Sequence, residues 1–114
     1  MWVIGPVPEI GRDVPAVLAR AHMLGRAVDP SPTWDSFLKR QASVLPALDR
    51  LRGNPLIHVL LPHEALCRDG RCDVLRDGHA LYWDDDHLSR EGVEVLEPLL
   101  RPIFATTQAK APVD

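Results

Sequence analysis

Apolar positions alternate between short β-like runs and helical spacing. "WVIG" (2–5) is an aromatic and β-branched run halted by Gly5-Pro6 and predicts a buried strand. "GPVPEIGRD" follows as a Pro/Gly loop at that strand's carboxyl end. In "DVPAVLARAHMLG" (13–25) Val14, Val17, Leu18, Ala21 and Leu24 share one helical face, with Asp13 or Val14 as cap, Pro15 in the first turn and Gly25 as the stop. After the loop "AVDPSP", "SPTWDSFLKRQASVLPALDRLRG" (31–53) predicts a longer helix. Its N-cap is Ser31, Pro32 lies in its first turn, and Trp34, Phe37, Leu38, Leu45, Leu48 and Leu51 form its apolar face. Pro46 kinks or splits it.

"PLIHVLLP" (55–62) reads as a second buried strand ended by Pro62. "CDVLRDGHALYW" (72–83) places two short runs around Asp77-Gly78, the pair preferred by a two-residue type I′ hairpin. The last helix is expected over "LSREGVEVLEPLLRPIFA" (88–105), burying Val93, Leu96, Leu99, Leu100 and Ile103, with Pro98 and Pro102 as interruptions. "TTQAKAPVD" (106–114) reads as a disordered tail. Two strands joined through helices suggest an α/β chain with a parallel crossover, although two core strands make a thin sheet.

A chain of 114 residues accommodates one domain, placed at 1–105. Its net charge of −3 and scattered arginines (Arg12, Arg20, Arg26, Arg40, Arg50, Arg52) give nucleic acid no electrostatic footprint. No apolar run is long enough to cross a bilayer, and "MWVIGPVPEIG" carries no signal-peptide pattern. Starting on an apolar strand points to missing upstream chain; the plainer reading is an edge strand at a true N-terminus. Cys67 and Cys72, in "CRDGRC", are open to a reduced, cytosolic state. The Asp-Gly centre also lets a turn join the sulfurs, and a disulfide is the preferred reading, implying an oxidising compartment such as a periplasm.

The densest chemistry lies in "YWDDDHLSREG" (82–92). A histidine works as a base near neutral pH when a carboxylate fixes its tautomer, and Asp-x-x-His lets a turn fold Asp84 back onto His87. Asp86 is expected to point elsewhere, Asp85 to face solvent, and Ser89 to cap the final helix with Glu91 in its first turn. Capping and solubility alone account for two of the three aspartates. A metal site from Asp84, Asp86 and His87 lacks a fourth ligand nearby, so no metal and no cofactor are assigned. Among the other histidines, His22 lies on a helix, His58 is expected in the core, His63 is either a cleft or a loop residue, and His79 is exposed.

The stretch "CDVLRDGHALYWDDDHLSREGVEVL" resembles the closing segment of the SGNH (GDSL-like) domain at the C-terminus of bacterial acyltransferase-3 type membrane acyltransferases. There a Cys-flanked loop and a hairpin precede "LYxDxxHLSxxG". "VIGPVPEIGRDVP" is similar to that family's strand and proline-rich loop. The resemblance spans residues 2–104 and is most specific over 67–92. It implies a partial three-layer, flavodoxin-like α/β sheet with flanking helices and a hairpin before the last helix. Within it, a serine attacks an acyl carbonyl, a histidine is its base, an aspartate orients the histidine, and an asparagine helps bind the oxyanion. His87 and Asp84 carry over as base and partner.

The family's "GDS" and "GxND" blocks have no counterpart: Ser31, Ser36, Ser43, Ser89 and Asn54 sit in other contexts. The resemblance therefore implies the C-terminal portion of such a domain, inactive alone. Its expected partners are the missing N-terminal half or a membrane acyltransferase domain, an acyl donor (acetyl above all) and a cell-envelope glycan acceptor at the periplasmic face. A non-catalytic binding module, self-associating through an open sheet edge, is the alternative.

Overall fold

The computed structural model describes the backbone of residues 1–110 and the side chains of residues 1–105. In chain order the elements are β1 (Trp2–Ile4), α1 (Val14–Met23), α2 (Trp34–Arg40), α3 (Val44–Leu51), β2 (His58–Leu60), α4 (His63–Leu66), β3 (Cys67–Arg68), β4 (Arg71–Cys72), β5 (Leu75–Arg76), β6 (His79–Ala80) and α5 (Arg90–Lys110). This is a mixed helix and strand fold whose sheets have two strands each.

β1 and β2 pair in parallel, Trp2 opposite His58 and Ile4 opposite Leu60, and the Gly5 N–H extends the ladder to the Leu60 carbonyl at 2.8 Å. The strands are not buried as expected. Ile4 is 54% exposed, and Trp2, Val3, Val59 and Leu60 are half-buried, because no third strand extends this sheet among the described residues. His58 is likewise exposed rather than in the core, its ring stacked on Trp2 at 4.6 Å.

The helices follow their caps. Asp13 accepts from the Ala16 N–H at 3.0 Å and starts α1. Gly25, at φ +63°, ends it in a Schellman turn, in which the Arg26 N–H reaches the Ala21 carbonyl and the Gly25 N–H that of His22. Val14 and Ala21 are buried there, but Leu24, in the capping residue's non-helical position, is exposed. The next helix does not start at Ser31-Pro32. Thr33 is the cap, its hydroxyl accepting from the Ser36 N–H at 3.1 Å. The apolar stripe splits at Gln41–Ser43 into α2 and α3, placing Pro46 in the first turn of α3, where no ladder donor is required of it. Of that stripe Phe37 is buried, while Leu38 and Leu51 are exposed.

Both Asp-Gly pairs make two-residue hairpins. Asp69-Gly70 and Asp77-Gly78 have positive φ at both positions, as a type I′ turn requires. Cys67 and Cys72 face each other across the first hairpin and are joined by a disulfide. Asp73, between the hairpins, accepts from Arg76 Nε at 2.7 Å and forms an ion pair with Arg68, whose Nε lies 3.0 Å away, while Arg76 also reaches the Ala65 carbonyl of α4.

The core is formed by Ile10, Val14, Leu66, Val74, Leu81, Tyr82 and Leu96, drawn from the 5–13 loop, α1, α4, the second hairpin with its flanks, and α5. α5 continues through Pro98 and Pro102. Its inward face centres on Leu96 with Gly92, Val95, Leu99, Leu100 and Ile103, so Val93 falls on the far side, 51% exposed, contrary to expectation. Of the segment read as a tail, residues 111–114 lie outside the described residues, and for 106–110 only the backbone, within α5, is described.

Two buried contacts fix α5 and the hairpin. The Gly92 Cα packs so closely on the Leu81 carbonyl that a Cβ would collide with the oxygen. Gly92→Ala is therefore expected to destabilise the fold by about 2 kcal/mol or more, read from urea unfolding. The Tyr82 hydroxyl donates to the buried Pro8 carbonyl at 2.7 Å. Tyr82→Phe orphans that carbonyl and is expected to cost about 1–3 kcal/mol in the same measurement.

Candidate active site

The acidic turn is held from both ends. Tyr82 pairs with Leu88 across it, the Trp83 N–H donates to the His87 carbonyl at 2.7 Å, and the Ser89 N–H donates to the Leu81 carbonyl. The Ser89 hydroxyl donates to the Ala80 carbonyl at 2.7 Å and accepts from the Gly92 N–H at 3.2 Å, so this serine caps α5 and ties it to β6. Both roles are structural, and its hydroxyl is no candidate nucleophile.

Asp84 stands at the centre. Its Oδ1 accepts from the N–H groups of Asp86 (2.9 Å) and His87 (2.7 Å), an Asx-type closure of the turn. Its Oδ2 lies 2.9 Å from His87 Nδ1. The backbone donors of Asp86 and then His87, joined by the imidazole, hold the Asp84 carboxyl down at about 2. The same contact, hydrogen bond first and charge second, raises His87 above its ordinary value. With Nδ1 turned to the carboxylate, Nε2 is left for other chemistry, and the imidazole is 75% exposed.

Asp86 departs from expectation. It turns back, its Oδ1 2.8 Å from the same Nδ1, so two carboxylates share one ring nitrogen. Lost hydration and the neighbouring charge of Asp85 raise Asp86. Adjacency in sequence ordinarily points two side chains apart; the tight backbone closure by Asp84 brings this carboxylate round to the ring. Asp85 is exposed, as expected, but its carbonyl accepts from the Ile10 N–H at 2.8 Å. The Val14 N–H similarly reaches the Asp84 carbonyl at 3.3 Å, so the proline-rich loop and the start of α1 lie directly behind the site. Long-range docking of this kind has no local periodicity; the aromatic pair of "LYW" and the rigid "PVPE" are its only traces in the sequence.

The remaining histidines do not converge here. His22 and His79 are exposed, and His63 is half-buried against Trp34 and Phe37, where burial lowers it. One ligand atom each from Asp84, Asp86 and His87 lies within 4.8 Å of the others, a set that a cation would have to take from their mutual hydrogen bonds. No helix among the described residues is long and apolar enough to cross a membrane.

No curated protein and no solved structure matches the chain. The family model of the SGNH domain (fused to AT3 domains) matches residues 1–102, a span that contains the whole of the turn and the loop behind it. The chain therefore belongs to the SGNH domain family that occurs fused to AT3 acyltransferase domains.

Proposed function

We propose that this chain supplies the acid–base half of an SGNH acyl-transfer site, with His87 as general base and Asp84 as its orienting partner. The observation that carries the reading is the 2.9 Å contact from Asp84 Oδ2 to His87 Nδ1, which leaves Nε2 on an exposed ring. A carboxylate on Nδ1 selects the tautomer whose Nε2 accepts a proton and stabilises the imidazolium that forms. The sequence holds no Gly-Asp-Ser block, so the attacking hydroxyl comes from a complementary segment. His87 takes that hydroxyl's proton as the serine oxygen bonds to the acyl carbon, then returns it to the departing oxygen.

A membrane acyltransferase domain is the natural partner of this family, as the AT3 fusion implies. The finer assignments belong to the same reading: acyl groups, acetyl above all, on cell-envelope glycans; the periplasmic face, which the Cys67–Cys72 disulfide suits; and a three-layer sheet completed by strands beside β1 and β2. A second reading, a non-catalytic module that adds a strand or a second copy at that edge, draws on the two-stranded sheet and exposed Ile4.

The isolated chain is expected to hydrolyse p-nitrophenyl acetate no faster than its His87→Ala variant. Mixed with a Ser-bearing N-terminal segment of the family, it should gain turnover that His87→Ala removes and Asp84→Asn cuts by roughly 10²–10⁴-fold. The amide oxygen introduced by Asp84→Asn keeps the acceptor that closes the turn, so the loss reports the missing charge. A fully formed assembly without His87-dependent turnover would favour the binding module.

The pH dependence has a defined sign. Because His87 is raised, its contact with Asp84 stabilises the folded turn fully below about pH 6.5, the unfolded value, and the contribution is lost as pH rises through the folded value. The His87 ring should titrate by NMR with a midpoint above 6.5, and Asp84→Asn should lower it. Turnover by the completed site should fall as pH drops through that midpoint, since only neutral imidazole accepts the serine proton.

A further inference from the structure

We infer that Trp83 is the stacking platform for a pyranose ring of the acceptor, and so a specificity determinant of the site; this rests on the acyl-transfer reading above. Trp83 is 76% exposed, whereas Trp2 and Trp34 are half-buried. An indole left in water beside a reactive turn forgoes burial that would otherwise stabilise the fold. Its position is rigid nonetheless. The Trp83 N–H is bonded to the His87 carbonyl at 2.7 Å, Tyr82 before it is buried and anchored to Pro8, and Asp84 after it closes the turn. A ring presented on a fixed backbone loses little entropy on binding.

The surroundings select the ligand class. Trp83 lines an open cleft of about 600 Å³ with Pro15, His79, Arg90 and Glu91, within the roughly 300–1,000 Å³ of small-ligand sites. Its apolar wall is the indole and Pro15. Its polar rim offers the Arg90 donors, the Glu91 acceptors and the His79 ring, with opposite charges offsetting one another. A neutral ring with one apolar C–H face and hydroxyls round its edge matches that set, whereas an anion gains nothing from the mixed rim. The open mouth suits one residue of a chain rather than an enclosed small molecule. Seated there, the sugar is held against the turn whose other end carries His87.

The test is a ¹⁵N-NMR titration of the isolated chain with neutral β-1,4-linked tetramers of glucose and of N-acetylglucosamine. The indole resonance of Trp83, identified by its loss in Trp83→Phe, should shift saturably while those of Trp2 and Trp34 stay fixed. Trp83→Ala should weaken binding roughly tenfold or more, the factor that about 1.4 kcal/mol of lost contact produces. Trp83→Phe should recover part of it, and the unmoved Trp2 and Trp34 resonances report an intact fold. His87→Ala should bind the sugars normally, so failure of the acyl-transfer reading, judged by turnover, is separable from failure here. A stationary Trp83 resonance with both tetramers, or undiminished binding by Trp83→Ala, would overturn the inference. So would Trp83 becoming shielded from acrylamide on assembly with the complementary segment, which would make it a protein contact.

Discussion

The docking of the proline-rich loop onto the acidic turn is the constraint on which the rest of the molecule depends. Three bonds between residues far apart in the chain make it: Tyr82 hydroxyl to the Pro8 carbonyl, Ile10 N–H to the Asp85 carbonyl, and Val14 N–H to the Asp84 carbonyl. Closing so long a loop costs entropy, and the return comes from the apolar contacts the same docking brings together, Ile10 and Val14 against Leu81, Tyr82 and Leu96. Prolines at 6 and 8 restrict the loop before it docks, which lowers that cost. One contact set thus closes the core and fixes the backbone carrying the candidate dyad.

The crowding of carboxylates at 84–86 has a structural cause and a chemical consequence in the same atoms. Asp84 uses one oxygen to close the turn and the other to face the imidazole. Capping and the proposed proton transfer are therefore not rival explanations. Backbone donors keep Asp84 ionised, and an ionised Asp84 is what the histidine requires as a partner. Asp86 adds a second negative charge beside Nδ1 and leaves Nε2 open as an acceptor. Two carboxylates on one nitrogen favour the imidazolium more than one would, so the base is strengthened at the expense of the fraction that is neutral near pH 6.5.

Local signals are legible in the sequence, and long-range ones are not. The Asp77-Gly78 hairpin, the Asp13 cap, the Gly25 stop and the Ser89 cap follow from short-range rules that tertiary context does not override. The Asp84–His87 contact is readable because its two residues lie within one turn. The 31–53 helix is misplaced at its start because Ser31, Pro32 and Thr33 all suit a helix entry. The competition is settled outside the segment, by the disulfide hairpin: Cys72 N–H takes the Pro32 carbonyl and Trp34 N–H takes that of Gly70. Burial of β1 and β2 is overestimated for a related reason. An apolar run declares that it needs cover, not that cover is present.

That distinction separates the two ends of the molecule. Around the turn, Val14, Leu66, Val74, Leu81 and Tyr82 are each at most 1% exposed, a density at which removing a methylene is felt. Along the β1–β2 side, Ile4 and Leu56 remain open to solvent, and the outer strand edges present donors and acceptors with no neighbouring strand among the described residues. A parallel pair is the arrangement that most depends on covered faces. The packed end positions Asp84 and His87 by its own contacts, and the open end is the one the proposed function would complete with a further layer. In the proposed acyl-transfer reading, a segment received at β1 and β2 would leave the turn as it is, because the bonds that shape the turn run to residues 8–14 and to α5 rather than to the β1–β2 sheet.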